Sequence, residues 1–335
     1  MSFRDIYGHE KRIEAIRKTI AQKRIGHAYL FSGISAVGKK ALAKEFIKAV
    51  NCDNPDTLND ACDQCVSCGK ISKEIHSDIF FVEAEGQFIR INAIREMQER
   101  ARCKPLEAKR RAFIIDEADK MNDQAANALL KMLEEPTSSN MLILVTARPY
   151  SLPQTIISRC LHIRFNPLPY ETVTRFLVER MDMDAQKAKL LAALSGGSIG
   201  NAMDLNNEDI ISYREELMKI FSATRRDNLF SLLNFASFLG QGKKEIRQGL
   251  SMLNTFFRDA LIFKETQNSE RLINQDNSSF ISSCAGRLSG EQILQNMAQL
   301  EKAGEIMERN VNKSLTLETM AFKLNYCETQ ISKTK

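Results

Sequence analysis

The sequence predicts an α/β protein: a parallel sheet carrying a phosphate-binding loop, then a small helical segment and an all-α C-terminal region. Three observations predict it. Residues 28–31 form a short apolar run that enters Gly33-x-x-x-x-Gly38-Lys39, and a helix-prone segment follows over 41–50. This is the strand, glycine loop and helix order of a P-loop, where backbone N–H groups, the lysine and the helix start attract phosphate oxygens. Residues 112–115 are continuously apolar, as in a parallel strand covered on both faces, and they end in Asp116-Glu117. Beyond Pro167 and Pro169 no strand signal recurs.

The first helix is expected over 9–23, with Ile13, Ile16 and Ile20 on one face. Tyr7-Gly8 before it reads as a turn, either beside a nucleotide base or without a ligand. In the P-loop, Lys39 is placed to reach outer phosphates. A complete P-loop has Ser or Thr next, because that hydroxyl ligates Mg²⁺; here the residue is Lys40, which cannot ligate a metal while protonated. Gly33, Gly38, Lys39 and Lys40 therefore make a nucleotide-site scaffold that lacks its magnesium ligand.

A polar insert over about 51–70 holds Cys52, Cys62, Cys65 and Cys68, a spacing that suits four thiolates on one tetrahedral structural Zn²⁺. The insert has too few apolar residues for a core, so a metal would supply its order. Cys103, Cys160, Cys284 and Cys327 are scattered and read as free or buried thiols. The N-terminus has no signal-peptide core and no apolar run reaches membrane length, so a cytoplasmic protein without membrane contact is expected. A net charge of +5 on 335 residues permits nucleic-acid contact without demanding it, which weighs against a stand-alone DNA-binding protein.

His76 reads as a turn or capping residue before a strand over 79–83, and a helix follows over 91–102. Lys109-Arg110-Arg111, ahead of the 112–115 strand, reads as a solvated turn, with contact to DNA phosphates as the alternative. At a strand end facing the nucleotide crevice, Asp116 would hold Mg²⁺ and Glu117 would orient the attacking water. Asn122 caps the next helix, with Ala125, Leu129, Met132 and Leu133 apolar, and Pro136 stops it. The strand over 141–145 ends in Thr146, either a γ-phosphate sensor or a strand-end hydroxyl bonded to backbone. A last strand covers 161–165, and 166–169 is a linker. Residues 170–205 predict three small helices around Gly196-Gly197-Ser198. A bundle over 208–330 would bury Phe230, Leu233, Phe235, Phe238, Phe256, Phe257 and Leu261, with a loop over 267–279.

The motifs HAYLFSG, IIDEADKMNDQAANALLKMLEEP, LPQTIISRC and GGSIGNAM, together with the four-cysteine insert, resemble the AAA+ clamp-loader subunits of bacterial DNA polymerase III across nearly all of residues 1–205. The resemblance implies a RecA-like domain (1–166), a helical lid (167–207) and a collar (208–335). It implies partners too: gamma/tau and delta subunits in a hetero-pentamer, which loads a sliding clamp on primed DNA using ATP bound between subunits. Arg159 matches the family's arginine finger and would act in trans at a neighbour's ATP site. Asn201 stands where the family's ATPases carry a lid arginine. The two departures, Lys40 and Asn201, imply a non-hydrolysing subunit whose own site makes little use of ATP and Mg²⁺; the alternative is an ATP-hydrolysing gamma/tau-like motor.

Overall fold

Apolar runs in four segments and the alternating edge segment LHIRF build one parallel sheet, with strands β1 (Ala28–Gly33), β2 (Ile79–Val82), β3 (Arg111–Ile115), β4 (Asn140–Thr146) and β5 (Leu161–Phe165) in the order β2-β3-β4-β1-β5. The computed structural model describes residues 2–56, 58–206, 210–240, 242–307 and 312–327. α1 (Glu10–Ala21) leads into β1, and parallel neighbours need crossovers, which helices supply: α2 (Lys39–Asn51), α3 (Val66–Ser72), α4 (Ile91–Arg102), α5 (Asp123–Glu134) and α6 (Gln154–Ile157). Alternate residues of the central strands (Leu30, Phe113, Ile115, Leu142, Leu144) share a core with Ile94 and Met97 of α4 and Ala125, Leu129 and Leu133 of α5. Tyr29, one residue out of phase, meets Phe46 of α2 edge to face. The central strands are thus apolar on both faces, as their unbroken runs require. Asn122 caps α5 as expected, its side chain accepting the Ala125 N–H at 2.8 Å.

The basic run before β3 departs from the sequence reading. Arg111 is not in a solvated turn but is the buried first residue of β3, ion-paired to the fully buried Asp78 at 2.7 Å. Lys109 donates to the Cys52 carbonyl, and Arg110 donates to the Ile25 carbonyl at 3.0 Å. His76 caps its turn by accepting the Asp78 N–H at 3.2 Å. Asp78 also accepts N–H groups from Leu106, Glu107 and Ala108. Burial pushes the Asp78 carboxyl up, but these N–H groups and the Arg111 guanidinium outweigh it and hold it at about 2. A folded pKa below the ordinary 3.8 means that the stabilisation is complete above about pH 4 and is lost as pH falls through about 2. Asp78→Ala is expected to cost about 3–5 kcal/mol in urea unfolding at pH 7, because it leaves the Arg111 charge buried and uncompensated. The deficit should shrink toward pH 2; a cost below about 1 kcal/mol at pH 7 would contradict the anchor.

After β5 come α7 (Tyr170–Met181), α8 (Ala185–Leu194) and α9 (Ile199–Asn206), the three helices predicted for that stretch. By contacts the chain divides into two compact units: residues 1–182 with 196–201, and residues 183–195 with 202–335. The expected domain boundary at 207/208 lies outside the described residues.

The second unit is all helical. It contains α8, α10 (Ile210–Ala223), α11 (Leu229–Leu239), α12 (Lys243–Thr266), α13 (Ser278–Arg287), α14 (Gly290–Met307) and α15 (Lys313–Lys323). Phe221 lies at the centre of its core, with the rings of Phe235, Phe256, Phe257 and Tyr326 at 5.6 to 5.8 Å. Two expectations fail here. Phe230 and Leu233 are 83% and 38% exposed, because α11 turns Leu232, Phe235, Ala236 and Leu239 inward instead. Cys284 and Cys327 are not free thiols but form a disulfide, with their Cα atoms 5.1 Å apart, where the chain after α15 returns to α13. Cys103 and Cys160 are free as expected, and burial pushes the Cys160 thiol up to about 12. The 267–279 loop carries two short 3₁₀ turns, and its Asp276 pairs with the buried Arg214 at 2.7 Å. No described helix is long and apolar enough to cross a membrane.

Candidate functional site

The sheet order brings the carboxyl ends of β3, β4 and β1 side by side, and the P-loop leaves β1 at that edge. Gly38 caps α2 with φ +104°, a left-handed conformation that strains any side-chain-bearing residue. Lys39 is buried, and its ammonium donates to the carbonyls of Gly33 and Ile34 at 2.7 and 2.6 Å. Burial lowers its pKa, against the opposing pull of Asp116 and Asp119.

The GGSIGNAM motif braces this loop. The Ser198 hydroxyl donates to Ser35 O at 2.9 Å, and the Gly200 N–H donates to Ala36 O at 3.1 Å. A Cβ on Gly200 would sit 2.5 Å from the Ala36 Cβ, so only glycine permits this approach. On the other side, His9 Nε2 meets Val37 O at 3.1 Å; burial pushes its pKa down, which favours the neutral ring with Nε2 as the donor.

A cavity of about 450 Å³ opens beside the loop, lined by Gly38, Lys39 and Lys40 on one side and Asp116, Glu117, Asp119, Thr146 and Arg148 on the other. Predicted residues from three separate segments, the P-loop and the ends of β3 and β4, therefore meet in one place. Thr146 donates to Asp119 Oδ1 at 2.6 Å and accepts the Arg148 N–H at 2.9 Å, so the strand-end hydroxyl is tied to backbone as well as to a carboxylate. Arg148 pairs with Asp119 at 2.8 Å and Lys120 with Glu117 at 2.6 Å. Burial raises the Asp119 pKa, but bonds from Thr146 and Arg148 outweigh it, and the carboxyl stays below its ordinary value. Two participants were not assigned from sequence. Asp119 sits inside a quoted motif, and Glu83, just after β2, could have been flagged only by its place at a strand's carboxyl end.

Lys40 occupies the magnesium ligand's position in the motif. Its ammonium pairs with Glu83 and lies 3.5 Å from Asp116 Oδ2. Burial opposes its charge, but the Glu83 bond and the Asp116 and Glu83 charges outweigh this and raise its pKa, so it is cationic. Mg²⁺ demands an oxygen-only octahedral shell, and here an ammonium already sits on the aspartate that would contribute to it. The residues present do not fit that ion.

Arg159 and Asn201 are not among the residues lining this cavity. Arg159 precedes β5, donates to Thr155 O at 2.9 Å and pairs with Glu134 at 3.0 Å, its side chain 37% exposed. Asn201 is exposed, and its N–H donates to Ser198 Oγ at 3.3 Å.

The four cysteines of the insert do converge. Sulfur atoms of Cys52, Cys62, Cys65 and Cys68 all lie within 4.8 Å of one another. Successive N–H groups point at them: Cys62 N to Cys52 Sγ and Cys65 N to Cys62 Sγ at 3.3 Å, Cys68 N to Cys65 Sγ at 3.4 Å. N–H groups of Gln64 and Cys65 pull the Cys62 thiol down to about 6, while burial pushes Cys52 and Cys68 up. Four clustered sulfurs with N–H···S support fit a structural Zn²⁺, which would favour all four thiolates at once. The insert is tied to the sheet domain by Asp60, which pairs with Arg17 at 2.9 Å and accepts the Phe3 N–H at 3.1 Å. It is tied again by Asp63, 2.5 Å from the fully buried Lys48 of α2.

A family model described as "DNA polymerase III, delta subunit" matches residues 8–169, and one described as "DNA polymerase III, delta subunit, C terminal" matches residues 208–325. The DNA polymerase III subunit delta′ of Bacillus subtilis is 29% identical over 317 residues, covering 93% of this chain and 94% of that protein. The subunit tau of the same organism is 27% identical over 295 residues, 82% of this chain but only 52% of tau. A subunit gamma of Buchnera aphidicola is 33% identical over 208 residues, 61% of this chain and 57% of gamma.

Proposed function

Because this chain belongs to the clamp-loader subunits of DNA polymerase III, we propose that it is the delta′-type member: a subunit that donates Arg159 to a neighbour's ATP site and does not hydrolyse ATP at its own. The observation that carries this reading is Lys40, whose ammonium is paired with Asp116 and Glu83 where a magnesium ligand belongs. Hydrolysis needs a metal to neutralise charge developing on the γ-phosphate, and a lysine held on the aspartate does not place one there. Arg159 is exposed and held by one bond to the Thr155 carbonyl and one exposed ion pair to Glu134, both of which a neighbour's phosphate could replace. The B. subtilis delta′ relative matches 93% of this chain, whereas the tau and gamma relatives match 82% and 61% of it.

In this reading the partners are gamma/tau and delta subunits in a hetero-pentamer, acting on a sliding clamp and primed DNA, and the 208–335 region is the collar through which the subunits assemble. Zinc is structural. The competing reading is a gamma/tau-like motor, favoured by Lys39, Asp116 and Glu117 lining one cavity. Steady-state ATP hydrolysis by the purified chain alone separates the two. No turnover above a Lys39→Ala control is expected; turnover that Lys39→Ala abolishes would establish the motor.

A further inference from the structure

We infer that the P-loop cavity takes a phosphate chain, such as that of a nucleoside triphosphate, free of divalent metal, with the Lys40 ammonium standing in for the cation. The inference rests on the reading of this cavity as a non-hydrolysing nucleotide-type site. In a complete P-loop a mobile cation is held between the residue after the lysine and the strand-end aspartate. Here a covalently attached cation reaches that aspartate from the same position and lines the same cavity as Lys39.

The charges around the cavity agree with this. Each carboxylate on its wall already has a cation: Asp116 has Lys40, Glu117 has Lys120 and Asp119 has Arg148. Glu83 beside them is taken by Lys40 as well. Every wall carboxylate thus has an ammonium or guanidinium partner, with Lys40 shared between Asp116 and Glu83. Lys39 is the opposite case: among the described residues it meets the carbonyls of Gly33 and Ile34 and no carboxylate. A phosphate oxygen entering the cavity would replace those neutral acceptors with a charged one, which makes the stronger bond. A phosphate chain already carrying Mg²⁺ would bring two further positive charges beside Lys40, and so would bind less well.

The test is a fluorescence anisotropy titration of the full chain with a fluorescent ATP analogue, with and without Mg²⁺. Magnesium is omitted rather than chelated, so that the cysteine cluster keeps its metal. Binding without magnesium is expected, weakened about fivefold or more when magnesium is added in excess over nucleotide, with inorganic tripolyphosphate displacing the analogue. Lys40→Thr, which restores the hydroxyl, is expected to reverse the sign, so that magnesium tightens binding. Tighter binding of the unaltered chain in magnesium would overturn the inference, as would no binding of either probe up to about millimolar. The unaltered chain decides this even if Lys40→Thr fails to fold. Absence of binding would leave the clamp-loader role of Arg159 untouched, whereas ATP turnover by the isolated chain would remove the reading beneath both.

Discussion

Replacing Arg159 with alanine is expected to lower hydrolysis at the neighbouring ATP site of a reconstituted clamp loader by about 10³, the scale of an arginine finger acting in trans. Clamp loading should fall with it, while the thermal unfolding of the isolated chain stays unchanged. The separation follows from the geometry. Arg159 and Glu134 form a pair that is 37% and 50% exposed, and such a pair contributes about 0–1 kcal/mol to stability. Arg159→Lys should also fail, because an ammonium lacks the planar fork that grips a γ-phosphate at two points. The decisive measurements are single-turnover hydrolysis and clamp loading by loaders assembled with each variant, with assembly verified by gel filtration. Full activity of the alanine variant in an intact complex would refute the finger.

Removing the metal from the cysteine cluster, or changing Cys68 to Ser, is expected to unfold the insert and to loosen the P-loop helix with it. Purified chain should carry one zinc ion, measured by elemental analysis. Without the ion the sulfurs, drawn together within 4.8 Å, lose the centre that organises them. The effect then travels along a defined path. Asp63 lies between two ligands in sequence and pairs with Lys48, which is fully buried and otherwise held by Glu45 at 2.8 Å. Loss of one partner of a buried charge costs about 3–5 kcal/mol, so α2 itself should be destabilised. Hydrogen exchange should show lost protection over residues 52–72 and at Phe3, whose N–H bonds to Asp60, with a smaller loss in α2. Metal-free purified protein with full protection in the insert would contradict this account.

Much of the nucleotide-type domain was legible because its signals are local. Unbroken apolar runs predicted β3 and β4; glycine spacing predicted the loop; Asn122 and Pro136 bounded α5; and two C-x2-C steps predicted a cluster that the sulfur positions bear out. Each of these depends on residues within a few positions of one another. Helix periodicity was less reliable in the C-terminal unit. On α11 seven of eleven residues are Leu or Phe, so no single stripe stands out, and Phe230 and Leu233 could not be told from Leu232 and Phe235.

The sequence by itself determined the fold class, the glycine loop with Lys40 after Lys39, and the clustering of four cysteines. Only the tertiary structure decided where the charges went. Arg111 looked solvated beside Lys109 and Arg110, yet it is buried because Asp78, thirty-three positions earlier, lies at the entry to the neighbouring strand β2. Lys40 was visibly a misfit, but its pairing with Glu83 and Asp116 depends on strands β2 and β3 ending together. Gly200 and Ser198 brace the P-loop from more than 160 positions away, and Cys284 reaches Cys327 across 43. The physical reason is the same in each case. Hydrophobic period and turn chemistry are written in adjacent residues, whereas the partner of a charge or a thiol is fixed by which distant segments the packed sheet and helices bring together.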